Sequence, residues 1–137
     1  MILVDTSVWS AALRRPRSGE LPSAGRVLKS MIERDEPVTL AGIVMQELLS
    51  GIKHEAQFQR LSRVLAPFPL LLATRSDHLR GASVLNACRS RGVHASTVDS
   101  LIVGMAIERD ALLLTCDRDY VHMAEHVSFN LEFIEAV

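Results

Sequence analysis

The length and composition of the chain fit one globular domain. It has 137 residues, of which 48% are hydrophobic and 23% are charged, and a chain of this size can bury a single core. We therefore expect one domain over residues 1–137. The net charge of −1 provides no general attraction to nucleic acid. No segment matches a membrane span or a signal peptide, and Cys88 and Cys116 are isolated. We expect two reduced thiols and a cytoplasmic protein with no membrane partner.

Short apolar runs alternate with helical patterns along the whole chain. The runs predict strands at Ile2–Val4, Val38–Leu40, Leu70–Ala73, Leu112–Thr115 and Leu131–Ile134. The helical patterns run from Thr6 or Ser7 to Arg14, then over Leu21–Arg34, Ile43–Ile52, His54–Leu65, Ser76–Arg91, Thr97–Arg109 and Tyr120–Glu125. This alternation predicts an α/β fold with a central, mainly parallel sheet of about four or five strands and helices on both faces.

Four acidic residues are placed where such a fold could bring them together. Asp5 follows the first predicted strand, and Asp117 follows the fourth. Glu47 and Asp99 lie within mainly apolar helical segments. An ionised carboxylate beside an apolar face is costly unless something compensates its charge, and the chain has only two lysines. We therefore predict that these acids bind a hard divalent cation, Mg²⁺ or Mn²⁺.

A divalent cation in such a pocket suits the hydrolysis of a phosphodiester. The ion can bind a phosphate oxygen, lower the pKa of a water nucleophile and neutralise developing charge. Thirteen of the fifteen cationic residues are Arg, whose planar fork matches phosphate. Their clusters are equally explained as solvated helix ends. The cations are therefore compatible with a nuclease without requiring one.

Each acid also has a purely structural explanation. Asp5 could cap a helix, Asp99 could favour the first turn of its helix, and Glu47 could lie on a solvated helix edge. Asp117 and Asp119 could form an Asx turn. All these explanations must hold at once for the site to be absent, so convergence of the acids is the favoured interpretation.

A second pattern, His122-Met-Ala-Glu-His126, matches the H-x-x-E-H sequence of one class of zinc peptidases. Two histidines four residues apart share one helix face and could bind zinc. Few residues follow this segment, which leaves little chain to supply a further ligand. Surface histidines on a short helix are the favoured interpretation.

Four segments together carry a resemblance to a known family. LVDTSVW, Gln46-Glu47-Leu48, SxVDSLIVGMA and LLTCDRDY occur in that order between Met1 and Phe133. The ordered set resembles the PIN-domain family and, more narrowly, the VapC-type toxins of bacterial toxin–antitoxin pairs. The resemblance implies a small α/β sheet fold and an Mg²⁺- or Mn²⁺-dependent ribonuclease. It also implies two kinds of protein contact, with a cognate antitoxin that holds the enzyme inactive and with a second copy in a homodimer.

Carried over to this chain, the resemblance assigns roles to particular residues. The four family acids correspond to Asp5, Glu47, Asp99 and Asp117. Asp5 and Asp99 would be the main metal ligands, Asp117 a further or water-mediated ligand, and Glu47 would orient or activate water. The possible accessory residues are Asp119, Thr6 and Thr115. Tyr120 stands where an aromatic residue, often Phe, is common, and it is expected to serve packing.

Two other functions remain open from the sequence. An aspartyl-phosphate phosphatase would use Asp5 as a covalent nucleophile. Enzymes that resemble haloacid-dehalogenase phosphatases usually have a second Asp two positions later, where this chain has Ser7. A noncatalytic binding module would use the cation only to stabilise its pocket. Cleavage of RNA, hydrolysis of a small phosphomonoester, or neither activity would distinguish the three.

Overall fold

The structure is a computed structural model that describes residues 1–13 and 19–135. Within those residues the strands are β1 (Ile2–Val4), β2 (Val38–Ala41), β3 (Leu70–Leu71), β4 (Leu112–Thr115) and β5 (Asn130–Phe133). The helices are α1 (Thr6–Leu13), α2 (Ser23–Glu33), α3 (Gly42–Leu49), α4 (Glu55–Leu65), α5 (Arg75–Ser90), α6 (Thr97–Arg109) and α7 (Arg118–Ala124). None of these helices is both long enough and apolar enough to cross a bilayer.

The five strands form one parallel sheet in the order β3-β2-β1-β4-β5, which confirms the predicted α/β fold. Every residue of β1 and β2 is buried, as expected for strands covered on both faces. The chain builds outward from β1 through β2 to β3, and then builds the other half through β4 and β5. The strand order therefore switches from one side of β1 to the other between β1 and β4. Ligands of such sheets usually bind at the carboxyl ends of the strands beside this switch point.

Two predicted boundaries shift for local reasons. The third strand ends at Leu71 instead of Ala73, and Leu72 is 66% exposed. The next helix then begins at Arg75 because Thr74 caps it in a capping box: the Thr74 hydroxyl accepts from the Asp77 N–H at 3.2 Å, and the Asp77 carboxylate accepts from the Thr74 N–H at 2.8 Å. The helix therefore starts one residue before Ser76, the start that the sequence predicts.

The other shifts are small. Helix α7 begins at Arg118, before the predicted Tyr120, because the Asp117 side chain caps it. The last strand spans Asn130–Phe133, one residue earlier than predicted. The predicted end of the first helix at Arg14 falls outside the described residues.

Helices α5 and α6 pack at backbone contact distance. A Cβ atom added to Gly104 would lie 2.7 Å from the Gly81 nitrogen and 2.9 Å from the Asp77 carbonyl oxygen. The Asp77 side chain is fully buried in this interface. Arg109 binds its two carboxylate oxygens with its two terminal nitrogens, at 2.7 and 2.8 Å. This pair holds α6 against α5, and α6 carries Asp99 in its first turn.

Candidate active site

Asp5 is a buried carboxylate at the carboxyl end of the central strand. Its backbone N–H donates to the Leu114 carbonyl at 2.9 Å, which extends the pairing of β1 with β4 past Val4. Its Oδ2 atom accepts hydrogen bonds from the hydroxyls of Ser7, at 2.7 Å, and Thr115, at 3.0 Å. With only 5% of its surface exposed, Asp5 is held in one orientation.

Asp99 reaches the same place from the first turn of α6. That helix is capped by Ser96, whose hydroxyl accepts from the Asp99 N–H at 3.0 Å. The Tyr120 hydroxyl lies 3.0 Å from Asp99 Oδ1 and 3.1 Å from Asp5 Oδ1. A single buried phenol therefore connects two carboxylates that are far apart in sequence.

Asp117 and Asp119 complete the acidic group beside β4. Asp117 caps α7 by accepting from the Asp119 N–H at 2.9 Å, and its own N–H donates to the Thr115 hydroxyl at 3.0 Å. Carboxylate oxygens of Asp99, Asp117 and Asp119 lie within 4.8 Å of one another, and all three residues are half-buried. In residues 1–13 and 19–135, this is the one group of three or more potential metal-ligating residues with that spacing.

Glu47 is the exposed member of the predicted acidic set. It belongs to α3, and its Oε1 atom accepts a hydrogen bond of 2.8 Å from the Thr6 hydroxyl. Thr6 directly follows Asp5, so this bond ties Glu47 to the first turn after the central strand. Glu47 is therefore joined to the acidic group through Thr6, and it is exposed whereas Asp5 is buried.

Burial and, to a lesser extent, neighbouring negative charges shift the pKa values of Asp99 and Tyr120 at the site. Burial raises the pKa of Asp99, and the negative charges of Asp5 and Asp117 raise it further, although a hydrogen bond from Tyr120 opposes them. Burial and the charges of Asp5 and Asp99 also hold the pKa of Tyr120 well above its usual range. The phenol therefore keeps its hydrogen at neutral pH and can donate it to a carboxylate.

The donor set fits a hard divalent cation. Asp99, Asp117 and Asp119 offer only carboxylate oxygens, the ligands that Mg²⁺ and Mn²⁺ prefer. The salt bridges found in the described part of the chain involve none of the site acids. A bound cation would therefore balance charge that the Arg and Lys side chains of the described residues do not pair with.

The structure brings most of the predicted site residues together. Asp5, Asp99, Asp117 and the accessory pair Thr115 and Asp119 form one connected acidic group, called the pocket below, and Glu47 joins it through the Thr6 hydroxyl. Asp119, and not Asp5, completes the tightest group of oxygens. The assignment of metal ligands and catalytic roles within this set stays a prediction.

Two hydroxyl residues at the site were missed from the sequence. Ser7 contacts Asp5, and it also accepts a hydrogen bond of 3.1 Å from the Cys116 N–H. Tyr120 was expected to serve packing, and its ring is indeed fully buried, but its hydroxyl also contacts two acids. The departure from the usual Phe was the available signal, since a buried phenol oxygen needs a partner.

In the described residues, the histidine pattern belongs to no group of three or more potential metal-ligating residues. Helix α7 ends at Ala124, so His126 lies beyond it. The side chain of His122 is 59% exposed and lies 4.0 Å from Glu125. These positions agree with the interpretation of surface histidines.

Comparison with protein families decides the classification. The family model described as PIN domain matches residues 2–126. The chain belongs to the PIN-domain family. The match covers both strands that carry the buried end of the pocket, together with α3, α6 and most of the remaining fold. Among curated protein sequences, no significant match to the chain was found.

Solved structures share the fold of this PIN domain. VapBC2 from Rickettsia felis, solved bound to a DNA fragment from its promoter, matches with a TM-score of 0.76 and 19% identity, covering 98% of this chain and 100% of the other. VapBC-5 from Mycobacterium tuberculosis, a member of the VapBC family of toxin–antitoxin systems, matches with a TM-score of 0.65 and 18% identity, over 97% and 96% of the two chains. VapC20 from the same organism, a toxin that cleaves the sarcin–ricin loop, matches with a TM-score of 0.65 and 19% identity, over 93% and 97%.

Proposed function

We propose that this PIN domain is a divalent-metal-dependent endoribonuclease that acts as the toxin of a toxin–antitoxin pair. The observation that carries the proposal is that four acids converge beside β1 and β4, where the strand order switches from one side of the sheet to the other. These acids are Asp5, Asp99, Asp117 and Asp119. Burial, together with the negative charges of Asp5 and Asp117, raises the pKa of Asp99, and a bound cation would favour its ionised form. The toxin VapC20, with the same fold, cleaves RNA at the sarcin–ricin loop.

The proposed metal ligands are Asp5, Asp99 and Asp117. Asp119 is close enough to bind the same ion or one of its waters. When bound there, Mg²⁺ or Mn²⁺ would supply a Lewis acid for a phosphodiester oxygen and lower the pKa of a bound water. In this proposal the carboxylates orient that water shell and exclude competing anions.

Glu47 is proposed to act on the attacking water. Its side chain is exposed, so that a water and an RNA strand would have access to it. The Thr6 hydroxyl holds its Oε1 atom, which leaves the second carboxylate oxygen to accept a proton or to orient the water. Thr6 thus contributes by fixing the direction of Glu47.

The proposed partners are an RNA substrate, a cognate antitoxin that covers the pocket, and a second copy of the chain in a homodimer. The structural relatives include VapBC-5, which belongs to a family of toxin–antitoxin systems. The acidic pocket supports an antitoxin that presents a cation, such as Arg, to the carboxylates. We propose that the domain spans residues 1–137 and acts in the cytoplasm.

A phosphatase that uses Asp5 as its nucleophile receives less support. The Oδ2 atom of Asp5 accepts hydrogen bonds from Ser7 and Thr115, and Oδ1 lies 3.1 Å from the Tyr120 hydroxyl. A carboxylate that accepts several hydrogen bonds is a weaker nucleophile, because the bonds stabilise its negative charge. The contacts suit an oriented metal ligand better.

The test is cleavage of total cellular RNA by the purified protein, with and without Mg²⁺, followed by mapping of the cut ends. The proposal expects Mg²⁺-dependent cuts at defined positions. Hydrolysis of a small phosphomonoester without RNA cleavage would support the phosphatase, and neither activity would support a binding module. Copurification with the product of the neighbouring small open reading frame tests the antitoxin separately, because failure there leaves the nuclease intact.

A further inference from the structure

We propose that the Tyr120 hydroxyl is a positioning group that sets the spacing and direction of Asp5 and Asp99 towards a shared divalent cation. This inference rests on the proposed metal site and adds a residue to it. The phenol oxygen lies 3.1 Å from one carboxylate and 3.0 Å from the other. Phe has no atom that could make either contact, so the function belongs to the hydroxyl of this chain.

The ring gives the hydroxyl a fixed position. Tyr120 is completely buried, and its backbone N–H donates to the Asp117 carbonyl at 3.3 Å in the first turn of α7. The same turn is capped by the Asp117 side chain. One short helix therefore places a proposed metal ligand and, three residues later, the hydroxyl that contacts two more. A shift of α7 would disturb all three carboxylates together.

The two oxygens of Asp5 have different partners. Oδ2 is held by Ser7 and Thr115 without any help from Tyr120. For Oδ1, the one hydrogen-bond partner found among the described residues is the Tyr120 hydroxyl. Removing that hydroxyl leaves Asp5 held at Oδ2 only. Oδ1 of Asp5 and Oδ1 of Asp99 then lose the hydroxyl that both of them contact. Without the hydroxyl, the position of the Asp5 carboxylate relative to the Asp99 carboxylate is therefore less restricted.

The Tyr120 hydroxyl has one hydrogen, so it donates fully to only one of the two carboxylates at a time. The other contact then brings two electron-rich oxygens within 3.1 Å. Positive charge at the carboxylates would relieve that contact and alter the surroundings of the phenol. Binding of a cation should therefore be felt at Tyr120, although the tyrosine is not itself a ligand.

The first test measures Mn²⁺ affinity by calorimetry in the parent protein and in Tyr120→Phe, which keeps the ring. Loss of an outer-shell partner typically weakens metal affinity about 10- to 100-fold, and we expect a decrease of at least about tenfold here. The Mn²⁺ concentration for half-maximal RNA cleavage should rise by the same factor, while the maximal rate falls less. Equal Mn²⁺ affinity in the two proteins would overturn the proposal.

Thr74→Ala is the matched control for lost stability. It removes the hydroxyl that caps α5, which lies outside the proposed metal site, and so lowers stability without altering the carboxylate pocket. We expect its Mn²⁺ affinity to equal that of the parent. An equal loss of affinity in Thr74→Ala and Tyr120→Phe would show that the effect comes from general destabilisation, which would also overturn the proposal.

The second test uses the parent protein, so it does not depend on the folding of a variant. The chain contains a single tyrosine, and ¹³C labelling of that residue gives one assigned signal for its Cζ atom. Titration with Mg²⁺ should shift this signal and saturate at the concentration at which the ion binds. An unchanged signal at saturating Mg²⁺ would reject the role of Tyr120 alone, whereas a parent that binds no divalent ion would reject the proposed metal site as well.

Discussion

The interface of α5 with α6 and the pocket beside β4 both contain buried or half-buried aspartates, but they treat the charge in opposite ways. At the interface, Arg109 binds both oxygens of Asp77 and lowers its pKa. In the pocket, burial and the neighbouring acids raise the pKa of Asp99. An acid balanced by a cation within the fold is a structural element. Acids that converge without such a partner point to a ligand that supplies the charge.

Replacement of Asp99 by Asn should produce the largest effect. We expect RNA cleavage to fall by more than the roughly 10- to 100-fold loss caused by removing an outer-shell group, because a proposed ligand is lost. The metal-free protein should be at least as stable as the parent, since repulsion among the acids decreases. Cleavage rates and urea unfolding in the presence of a chelator check both parts. Parental cleavage by the folded variant would remove Asp99 from the mechanism.

Asp77→Asn should show the reverse pattern. It leaves Arg109 without its partner in a mostly buried interface, and we expect a loss of about 3 kcal/mol in the free energy of unfolding. Cleavage per folded molecule should stay near the parental value, because Asp77 belongs to the helix interface. Urea unfolding compares the stability of the variant with that of the parent, and cleavage rates divided by the concentration of folded protein compare their activity. A variant that unfolds like the parent would show that this pair does not secure α6.

Gly104→Ala tests the same interface without changing a charge. The added methyl group would meet the backbone of Gly81 and Asp77, at 2.7 and 2.9 Å, and neither backbone group can rotate away. We expect a destabilisation of about 1–3 kcal/mol, the usual cost of overpacking, measured by thermal or urea unfolding. The control is Ser83→Ala, which adds no bulk at an exposed helical position. Gly51→Ala is a poorer control for Gly104→Ala, because the φ of 86° at Gly51 would add backbone strain to the effect of the methyl group. Equal stability of Gly104→Ala and Ser83→Ala would mean that the helices can separate at low cost.

The smallest expected effect is the pH dependence of stability without metal. The folded-state pKa of Asp99 is raised, so its ionisation destabilises the fold as pH rises, and the stability advantage of Asp99→Asn should shrink as pH falls. The folded-state pKa of Asp77 is lowered, so its contribution is complete above the unfolded value and is lost only below about pH 4. Urea unfolding of the two variants and the parent from pH 7 to pH 3 separates the two trends. Parallel curves for all three proteins would show that the acids do not differ.

The sequence predicted the fold and the approximate place of the acids, because both depend on short-range patterns. The run Ile2–Val4 followed by Asp5, and Leu112–Thr115 followed by Asp117, put a carboxylate at the end of each of two parallel strands. The strand order and register, which make these neighbours, come from packing between distant segments. The general position of the pocket therefore followed from strand ends, while its detailed geometry did not.

The missed features depend on where side chains point. Tyr120 lies in a segment that was predicted to be helical, but its reach to both Asp5 and Asp99 depends on how α7 packs against the sheet. Asp77 lies near the start of the predicted helix Ser76–Arg91, which gives no sign that its pairing with Arg109 joins two helices across 32 residues of sequence. Helical periodicity places a residue on a face of its own helix, and it contains no information on the partner opposite.

The most direct test of the central claim is a crystal structure of the protein soaked with Mn²⁺, with anomalous diffraction to locate the ion. The account predicts an anomalous peak in the pocket, bound directly or through water to carboxylate oxygens of Asp99 and Asp117 and near Asp5. Direct manganese–oxygen distances should be about 2.0–2.6 Å, the range for hard divalent cations. An empty pocket at saturating Mn²⁺, or an ion bound only elsewhere, would contradict it.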